Sequence, residues 1–327
     1  MQPLKVCALT EDNLGKIKVG VSRCLLGDAV RYDGGHKRDR YLTDVLAKYF
    51  DWVPVCPEVE VGMGIPRESI RLVGDLTQPR LVGNKSGQDW TERMRAYAKI
   101  RLDKLAQEDL CGFLFKSDSP SSGAFRVKVY NVQGQAAGTG SGAFAGAFMQ
   151  RFPLVPVEEE GRLHDLGLRE NFIERVFSYA RLQGLAKNIS RRAVVEFHTR
   201  QKLLIMSHST KHYQMLGKLV AEVKKQKPQE FMQTYTALFL EALALKATPA
   251  KHTNVLQHIL GFLKNELTSE EKQDIVRVIE DFRKELLPLV VPLTLLQHYA
   301  RTLQIQYLCR QYYLYPHPKE LMLRNHA

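Results

Sequence analysis

The sequence has little of what marks a membrane or secreted protein. Its 327 residues include five cysteines, and no stretch of about 18 uncharged apolar residues is present to cross a bilayer. The first residues lack the charged-then-apolar pattern of a signal peptide. Five scattered cysteines are too few for a disulfide framework in a chain of this length. We therefore expect a cytoplasmic protein without membrane contact, whose cysteines are free, metal-bound or catalytic.

Acidic residues are scarce in one half of the chain only. The formal net charge is +12, and residues 1–160 carry 22 basic and 20 acidic residues, whereas residues 161–327 carry 25 and 15. A basic excess confined to one half predicts a polyanion partner for that half, with nucleic acid the first candidate. The alternative is a basic helical face that serves only solubility.

The first half alternates short β-branched runs with helical patterns. Strands are predicted at residues 16–23, 52–55, 112–115 and 127–130, helices at about 40–50 and 91–107, and a hairpin-like excursion at 69–82. This order favours an α/β domain with a Rossmann-like parallel sheet. The glycine-rich segment 134–146 has no dinucleotide-binding pattern, and it predicts a turn leading into a short helix that ends near Arg151.

Three chemically active segments come directly after predicted strands. Cys24 follows the first strand, Cys56 follows the second, and the loop 117–122 follows the third. Because ligands bind at the carboxyl ends of parallel strands, these segments are expected to form one site. An isolated cysteine is more often a small buried hydrophobe. We interpret the remaining three in that way: Cys7, Cys111 and Cys309.

The same segments resemble the bacterial thiouracil desulfidase family over residues 16–158. The motifs occur in order, as Cys24-Leu25-Leu26-Gly27, Arg31-Tyr32-Asp33-Gly34-Gly35, Val55-Cys56-Pro57-Glu58-Val59, Gly62-Met63-Gly64-Ile65-Pro66-Arg67, and Lys116-Ser117 with Ser119-Pro120-Ser121. The resemblance implies a 4Fe-4S cluster held by three cysteines, with one iron left open, which removes sulfur from a thiolated base without redox change. It also implies that Glu58 and a serine of the Lys116 loop assist the chemistry.

One position departs from the family pattern. The family's third cysteine belongs in Ser-Pro-Ser-Cys-Gly, and this sequence has Ser122 there. The candidate metal ligands are therefore Cys24, Cys56 and Ser122, although a neutral hydroxyl is a much poorer ligand for an iron–sulfur centre than a thiolate. Either Ser122 or another group completes the site, or the cluster is labile, or the substitution was introduced.

The residues themselves support desulfuration chemistry. A thiocarbonyl sulfur is soft and suits an open iron, which would polarise the C–S bond for attack by water. This route needs a proton shuttle, for which Glu58 is the candidate, with Ser117 or Ser119 orienting the base or the water. Helix capping or ion pairing is the alternative role of Glu58. The candidate substrate-binding residues are Arg31, Asp33, Arg67 and Lys116, and loop-fixing ion pairs are the alternative for the first three.

The second half is predicted to be helical from about Leu168 onward. Ser190 is a predicted N-cap, Thr268 begins a capping box, and prolines at 288 and 292 are expected to break the chain. The pattern divides the chain into an α/β domain at residues 1–164 and an all-α domain at residues 165–327. Nine of the ten histidines lie in this half, including His198, His208 and His212. None has metal-ligand spacing, and most are expected to be solvated or at the core edge.

Basic residues on the second domain are the candidate RNA contacts. Lysines seven residues apart predict a basic stripe along one helix: Lys211, Lys218 and Lys225. Two neighbours complete the candidate set: Arg200 and Lys202. Because each phosphate contact releases counterions, such a stripe suits a nucleic-acid backbone.

The second domain resembles the YbgA-type bacterial helical domain. The resemblance covers residues 165–327 and rests on segments 197–204, 207–209, 211–213 and 316–325. The fusion is similar to RudS-type desulfidases, which implies removal of sulfur from 4-thiouridine, with transfer RNA or a thiolated nucleobase or nucleoside as the partner. The alternative is a noncatalytic RNA-binding or repair-associated protein in which Ser122 marks a decayed cluster site. The oligomeric state does not follow from the sequence.

Overall fold

The computed structural model describes residues 14–325, so that Cys7 lies outside the described residues. The chain forms two compact units, Leu14–Phe172 and the part from Ile173 onward. The first unit contains β-sheets and helices, and the described part of the second consists of helices and turns. This confirms the predicted fold class, an α/β domain followed by an all-α domain. Among residues 14–325, no helix combines the length and the apolar character needed to span a membrane.

The secondary structure follows a simple order along the chain. The strands are β1 (Ile17–Ser22), β2 (Phe50–Val55), β3 (Ile70–Val73), β4 (Arg80–Gly83), β5 (Phe113–Phe115), β6 (Val127–Tyr130), β7 (Ala136–Gly140) and β8 (Val157–Glu159). The first helices are α1 (Pro57–Glu60), α2 (Thr91–Leu105) and α3 (Ala143–Arg151). The later helices are α4 (Leu166–Lys187), α5 (Arg191–His208), α6 (Thr210–Ala221), α7 (Pro228–Ala244), α8 (Pro249–Leu263), α9 (Ser269–Arg283), α10 (Val290–Thr302) and α11 (Gln306–Cys309).

The first sheet has the order β2-β1-β5-β8, and all its strands are parallel. The rings of Phe113 and Phe115 stack with centroids 4.1 Å apart, and Phe148 of α3 packs 4.8 Å from Phe113. Gly20 of β1 faces Phe113 so closely that an added Cβ would lie 2.2 Å from the ring. A tightly packed aromatic core therefore supports the strands whose carboxyl ends carry the predicted site.

The structure has a second sheet, which the sequence analysis did not predict. Its order is β4-β3-β6-β7, in which β3 and β4 form the expected antiparallel hairpin and β3 pairs with β6 in parallel. The prediction that β6 extends one parallel sheet is wrong, because β8 occupies the place beside β5. The segment 134–146 contains β7 in addition to the predicted turn and the start of α3.

Local structure departs from the sequence patterns at a few places. The helical pattern at residues 40–50 is a π-helical turn (Tyr41–Val45) followed by a 3-10 turn (Leu46–Lys48). Helix α9 ends at Arg283, and Pro292 lies in the first turn of α10, where a missing N–H is tolerated. Both predicted caps are confirmed, because Ser190 accepts from the Ala193 N–H and Thr268 forms a capping box with Glu271.

The helical unit has a large apolar core with a buried polar network beside it. Tyr235 and Phe239 of α7 are fully buried and stack with centroids 5.9 Å apart. The Nε2 of His208 lies 2.6 Å from Glu174 Oε1, and Arg324 donates to the other carboxylate oxygen over 2.9 Å. His198, His208 and His212 are buried and not solvated. Their Nδ1 atoms lie within hydrogen-bond distance of Tyr235 Oη, the Leu245 carbonyl oxygen and Ser209 Oγ, respectively.

Buried histidines make the helical unit sensitive to acid. Burial lowers the pKa of His198 to about 4, and the positive charge of Lys202 adds to this shift. Burial also lowers the pKa of His317 to about 4, with a further contribution from the charge of Arg324. The unfolded chain, with histidine pKa near 6.5, therefore binds more protons below that pH. We expect the free energy of unfolding to fall by about 1.4 kcal/mol per pH unit for each histidine between pH 6.5 and about 4.

Urea unfolding followed by far-ultraviolet circular dichroism measures this effect. The His198→Gln variant keeps a polar group beside Tyr235. In this variant, the histidine contribution to the change in unfolding free energy per pH unit should be about half of that in the wild type. An unfolding free energy that does not change over this pH range would show that neither histidine resists protonation in the folded chain.

Candidate active site

The loops after three parallel strands converge on one cavity of about 840 Å³. Its wall includes Cys24 after β1, Cys56 after β2, and residues 116–120 with Ser122 after β5. Because β1 lies between β2 and β5, these loops are neighbours in space although they are distant in sequence. The structure thus places the segments that were expected to meet in one crevice of the first unit.

The two cysteines at the cavity are free thiols with little exposure. Cys24 lies in the 3-10 turn Arg23–Leu26 and is 8% exposed, and Cys56 is the N-cap residue of α1 and is 6% exposed. Burial and the negative charge of Glu58 raise the pKa of Cys24 to about 11 and that of Cys56 to about 12. A metal centre that binds these sulfurs must therefore displace their protons.

Glu58 is a carboxylate of the cavity wall that contacts both a thiol and serine hydroxyls. Its Oε1 accepts from Ser121 Oγ over 2.5 Å and from Ser119 Oγ over 3.3 Å, and its Oε2 lies 3.5 Å from Cys56 Sγ. Arg67 Nη2 lies 4.0 Å from Oε2. Glu58 also lies in the first turn of α1, but its side chain points at these groups and does not cap the helix.

Hydroxyl groups form a chain from Glu58 to the position of the missing cysteine. Ser121 Oγ lies 3.1 Å from Ser122 Oγ, and because Ser121 donates to Glu58, Ser122 is the donor in that contact. The loop is fixed from behind by Gly142, where an added Cβ would lie 2.6 Å from the carbonyl carbon of Ser121. Sequence reasoning missed Ser121, whose fully buried hydroxyl is the closest partner of Glu58.

Lys116 and Ser117 form a compact cluster with Glu160, which follows β8. Lys116 Nζ donates to Glu160 Oε1 over 2.5 Å and to the Oγ and O of Ser117, each over 2.9 Å. Ser117 Oγ donates to Glu160 Oε1 over 2.9 Å. The three N–H donors of Lys116 are thus occupied, so that this lysine holds the loop in the arrangement observed. Sequence reasoning missed Glu160 because it follows the unpredicted strand β8.

The candidate substrate residues divide between the cavity and its surroundings. Arg31 and Arg67 are in the cavity wall, whereas Asp33 is not part of that wall. Asp33 Oδ1 lies 3.4 Å from Arg31 Nε and accepts a hydrogen bond from the Gly35 N–H over 3.0 Å. Arg67 donates to the carbonyl oxygens of Val30 and Gly64. Asp33 therefore fixes the loop, while the two arginines face the cavity.

The candidate RNA contacts lie on different elements of the helical unit. Lys211 and Lys218 are exposed on α6, one heptad apart. The prediction of three lysines on one helix is wrong for Lys225. Helix α6 ends at Ala221, and Lys225 lies in a separate 3-10 turn, where its Nζ is 2.9 Å from Glu222 Oε1. On α5, Lys202 is partly buried, and Arg200 stacks its guanidinium on the Tyr312 ring at 4.3 Å.

The described residues offer few ligands for an iron–sulfur cluster. Within residues 14–325, no three histidine, cysteine or carboxylate side chains come together as metal ligands. The cavity does bring together two free thiols and the hydroxyl of Ser122, which is 4% exposed. Two thiols and one neutral hydroxyl are a weaker donor set for an iron–sulfur cluster than three thiols, because the hydroxyl oxygen is the poorest ligand of the three.

The chain has similarities to known proteins in both halves. Residues 19–160 match the 2-thiouracil desulfurase family, and residues 202–318 match a family described as a protein of unknown function, DUF1722. The uncharacterized protein YbgA of Escherichia coli strain K12 is 30% identical over 153 residues, which are 46% of this chain and 90% of YbgA. Among solved structures, the 4Fe-4S-dependent thiouracil desulfidase TudS is 30% identical, with a TM-score of 0.39, over 47% of this chain and 98% of that one.

These matches overlap the two segments that carry the resemblances, residues 16–158 and 165–327. The first falls on the unit that contains the cavity, and the second falls within the helical unit. The second half of the chain belongs to the family of YbgA, and this segment follows one that matches the 2-thiouracil desulfurase family.

Proposed function

We propose that this protein removes sulfur from 4-thiouridine in transfer RNA, converting a thiocarbonyl to a carbonyl and releasing hydrosulfide. The observation that carries the proposal is the convergence of Cys24, Cys56 and Glu58 on one cavity in a chain of the desulfurase family. Cys24, Cys56 and Ser122 would hold the 4Fe-4S cluster. When bound, the cluster would supply a soft Lewis acid for the thiocarbonyl sulfur.

The remaining chemistry is hydrolysis, and its protons need a carrier. Water adds to the ring carbon, the C–S bond breaks, and the two protons of water go to the hydrosulfide and to a general base. Glu58 has the position for this role, because one of its oxygens faces the Cys56 sulfur and the other is held by Ser119 and Ser121. The two serines fix the carboxylate so that it need not reorganise during the reaction.

Charge supports an RNA substrate over a free base. The excess of basic residues lies in the second half of the chain, and Lys211 and Lys218 stand exposed on one face of α6. A free pyrimidine has no phosphates and would gain nothing from such a surface. The helical unit is therefore proposed to bind the RNA backbone.

Incubation of the reconstituted protein with thiolated transfer RNA tests the proposed function. The expected result is loss of the near-ultraviolet absorption of the thiocarbonyl, with hydrosulfide released in equal amount and uridine found after digestion of the RNA. An RNA that keeps its sulfur in the presence of iron-loaded protein would contradict the proposal.

Removing lysines from α6 should flatten the salt dependence of RNA binding. Each lost phosphate contact reduces the slope of log K against log salt by a little under one unit, so the double variant Lys211→Gln and Lys218→Gln should lose nearly two. Activity on a free thiolated base should stay near normal, because the cavity lies in the other unit. Filter binding over a range of salt concentrations measures the slope.

A matched variant controls for net charge in that experiment. Lys264 and Lys284 are exposed directly after the C-terminal ends of α8 and α9, and changing both to Gln removes the same charge. This control should shift the salt slope much less than the α6 variant does. Equal effects of the two variants would show that binding follows overall charge and not a surface on α6.

The second candidate function is noncatalytic RNA binding with a degenerate cluster site. The hydroxyl of Ser122 in the place of a thiol favours it, because two thiols alone hold a cluster weakly. Iron that fails to bind under anaerobic reconstitution, together with intact RNA affinity, would support this candidate over the desulfidase.

A further inference from the structure

An exposed aromatic ring stands in the wall of the cavity at a different depth from the thiols. Tyr32 is 44% exposed, whereas Cys24 and Cys56 are each less than a tenth exposed. All three belong to the same cavity wall. The sulfurs are therefore on the floor of the cavity and the tyrosine ring is at its rim.

The loop that carries Tyr32 is fixed before any ligand binds. The Arg31 N–H donates to the Gly35 carbonyl over 3.1 Å, and the Gly34 N–H donates back to the Arg31 carbonyl over 3.0 Å. Gly34 has φ +76°, a conformation that a residue with a side chain rarely adopts. The Tyr32 carbonyl accepts from the Arg67 N–H over 2.9 Å, which ties this turn to a second loop of the cavity.

The ring also has a cation beside it. The guanidinium carbon of Arg31 lies 5.3 Å from the centroid of the Tyr32 ring, and Arg31 is itself paired with Asp33. An arginine and an aromatic ring held side by side form the kind of surface on which single-stranded nucleic acids stack their bases.

The depth of the cavity decides which base can reach this ring. The sulfur-bearing base must go to the floor, where the thiols and Glu58 are, so it has to leave the RNA stack. The nucleotide next to it in the chain stays nearer to the solvent and loses its stacking partner when the target base leaves. Tyr32 stands at the rim, where that neighbouring base would arrive.

We propose that Tyr32 is a stacking residue for the nucleobase adjacent to the thiolated one. The inference rests on the proposed function, and it adds a reason why a nucleotide within a chain is preferred over a free nucleoside. Arg31 holds the ring in position and covers one of its sides. The chemical class of the ligand is an aromatic base in single-stranded RNA.

Two matched ligands separate this role from catalysis. Short RNAs contain 4-thiouridine flanked either by normal nucleotides or by abasic ones, and their affinities are measured by fluorescence anisotropy at fixed salt. The wild-type protein should bind the RNA with normal flanks about tenfold more tightly than the RNA with abasic flanks, because stacking of one base on an aromatic side chain raises affinity by about that factor. Tyr32→Leu should remove this difference, and Tyr32→Phe should keep it.

Kinetics with two substrates provide the second readout. Tyr32→Leu should raise KM about tenfold for the short RNA with normal flanks and leave KM for the free nucleoside unchanged. The control is Tyr49→Leu, which changes a partly buried tyrosine outside the cavity wall. Equal increases for both substrates would overturn the proposal, because Tyr32 would then contact the target nucleoside itself, and no increase for either would overturn it as well.

The binding measurement keeps the two proposals apart. If the protein does not desulfurate RNA but shows the flank-dependent affinity that Tyr32→Leu abolishes, then the proposed function fails and the stacking role stands. If it desulfurates RNA and the flanking bases contribute nothing to affinity, then the stacking role fails and the proposed function stands.

Discussion

Replacing Glu58 by glutamine slows desulfuration by about a hundredfold or more, because general acid–base catalysis by one positioned group contributes at least that much. The amide keeps the size of the side chain and its hydrogen bond from Ser121, but it takes no proton from water. Iron content and RNA affinity should therefore stay at the wild-type level while kcat falls. Single-turnover rates of hydrosulfide release measure the loss.

Two companion variants make this result specific. Glu92→Gln changes a carboxylate that is 81% exposed on α2, and it should leave the rate as it is. Ser121→Ala removes the closest hydrogen bond to Glu58, so its rate should fall between those of the wild type and Glu58→Gln. A Glu58→Gln variant with near-normal turnover would reduce Glu58 to a structural carboxylate.

The second large effect concerns the metal centre. Alanine at Cys24 or Cys56 should abolish iron binding, because the single remaining thiol and a serine hydroxyl cannot hold a soft iron–sulfur centre. Ser122→Cys should increase iron retention, since it supplies a third thiolate in the same cavity. Iron per chain and the visible absorption after anaerobic reconstitution measure both effects.

Cys111→Ala is the matched control for these variants. Cys111 is as buried as the other two but is not in the cavity wall, so its loss should leave the iron content unchanged. Circular dichroism checks that each variant is folded. Wild-type iron content in Cys24→Ala, or no gain in Ser122→Cys, would contradict the ligand set.

The sequence correctly predicted the position of chemically active residues that directly follow a parallel strand. Cys24, Cys56 and the Ser117–Ser122 loop could be assigned to one site because parallel strands place their carboxyl ends together. Strand β8 could not be predicted, since it has three residues, of which Glu158 and Glu159 are buried charges that no alternation pattern indicates. Its absence from the prediction led to the wrong assignment of β6.

The finer contacts of the site lay outside what a pattern can show. Four serines follow Lys116 within six residues, and their order does not reveal which hydroxyl faces Glu58. That choice depends on the turn through Gly123 and on the close approach of Gly142, which are tertiary features. In the same way, Lys225 has the correct heptad spacing, but the helix ends before it because the chain turns at Glu222.

The order of strands in the first sheet also determines when the candidate metal ligands come together during folding. Cys24, Cys56 and Ser122 come from three separate strand ends, and the strands between them must pair before the donors meet. Parallel pairing joins distant parts of a chain and is slow for that reason. A cluster held by these three residues would therefore be inserted only after this unit has folded, and its iron and sulfur would have to be supplied to the folded protein.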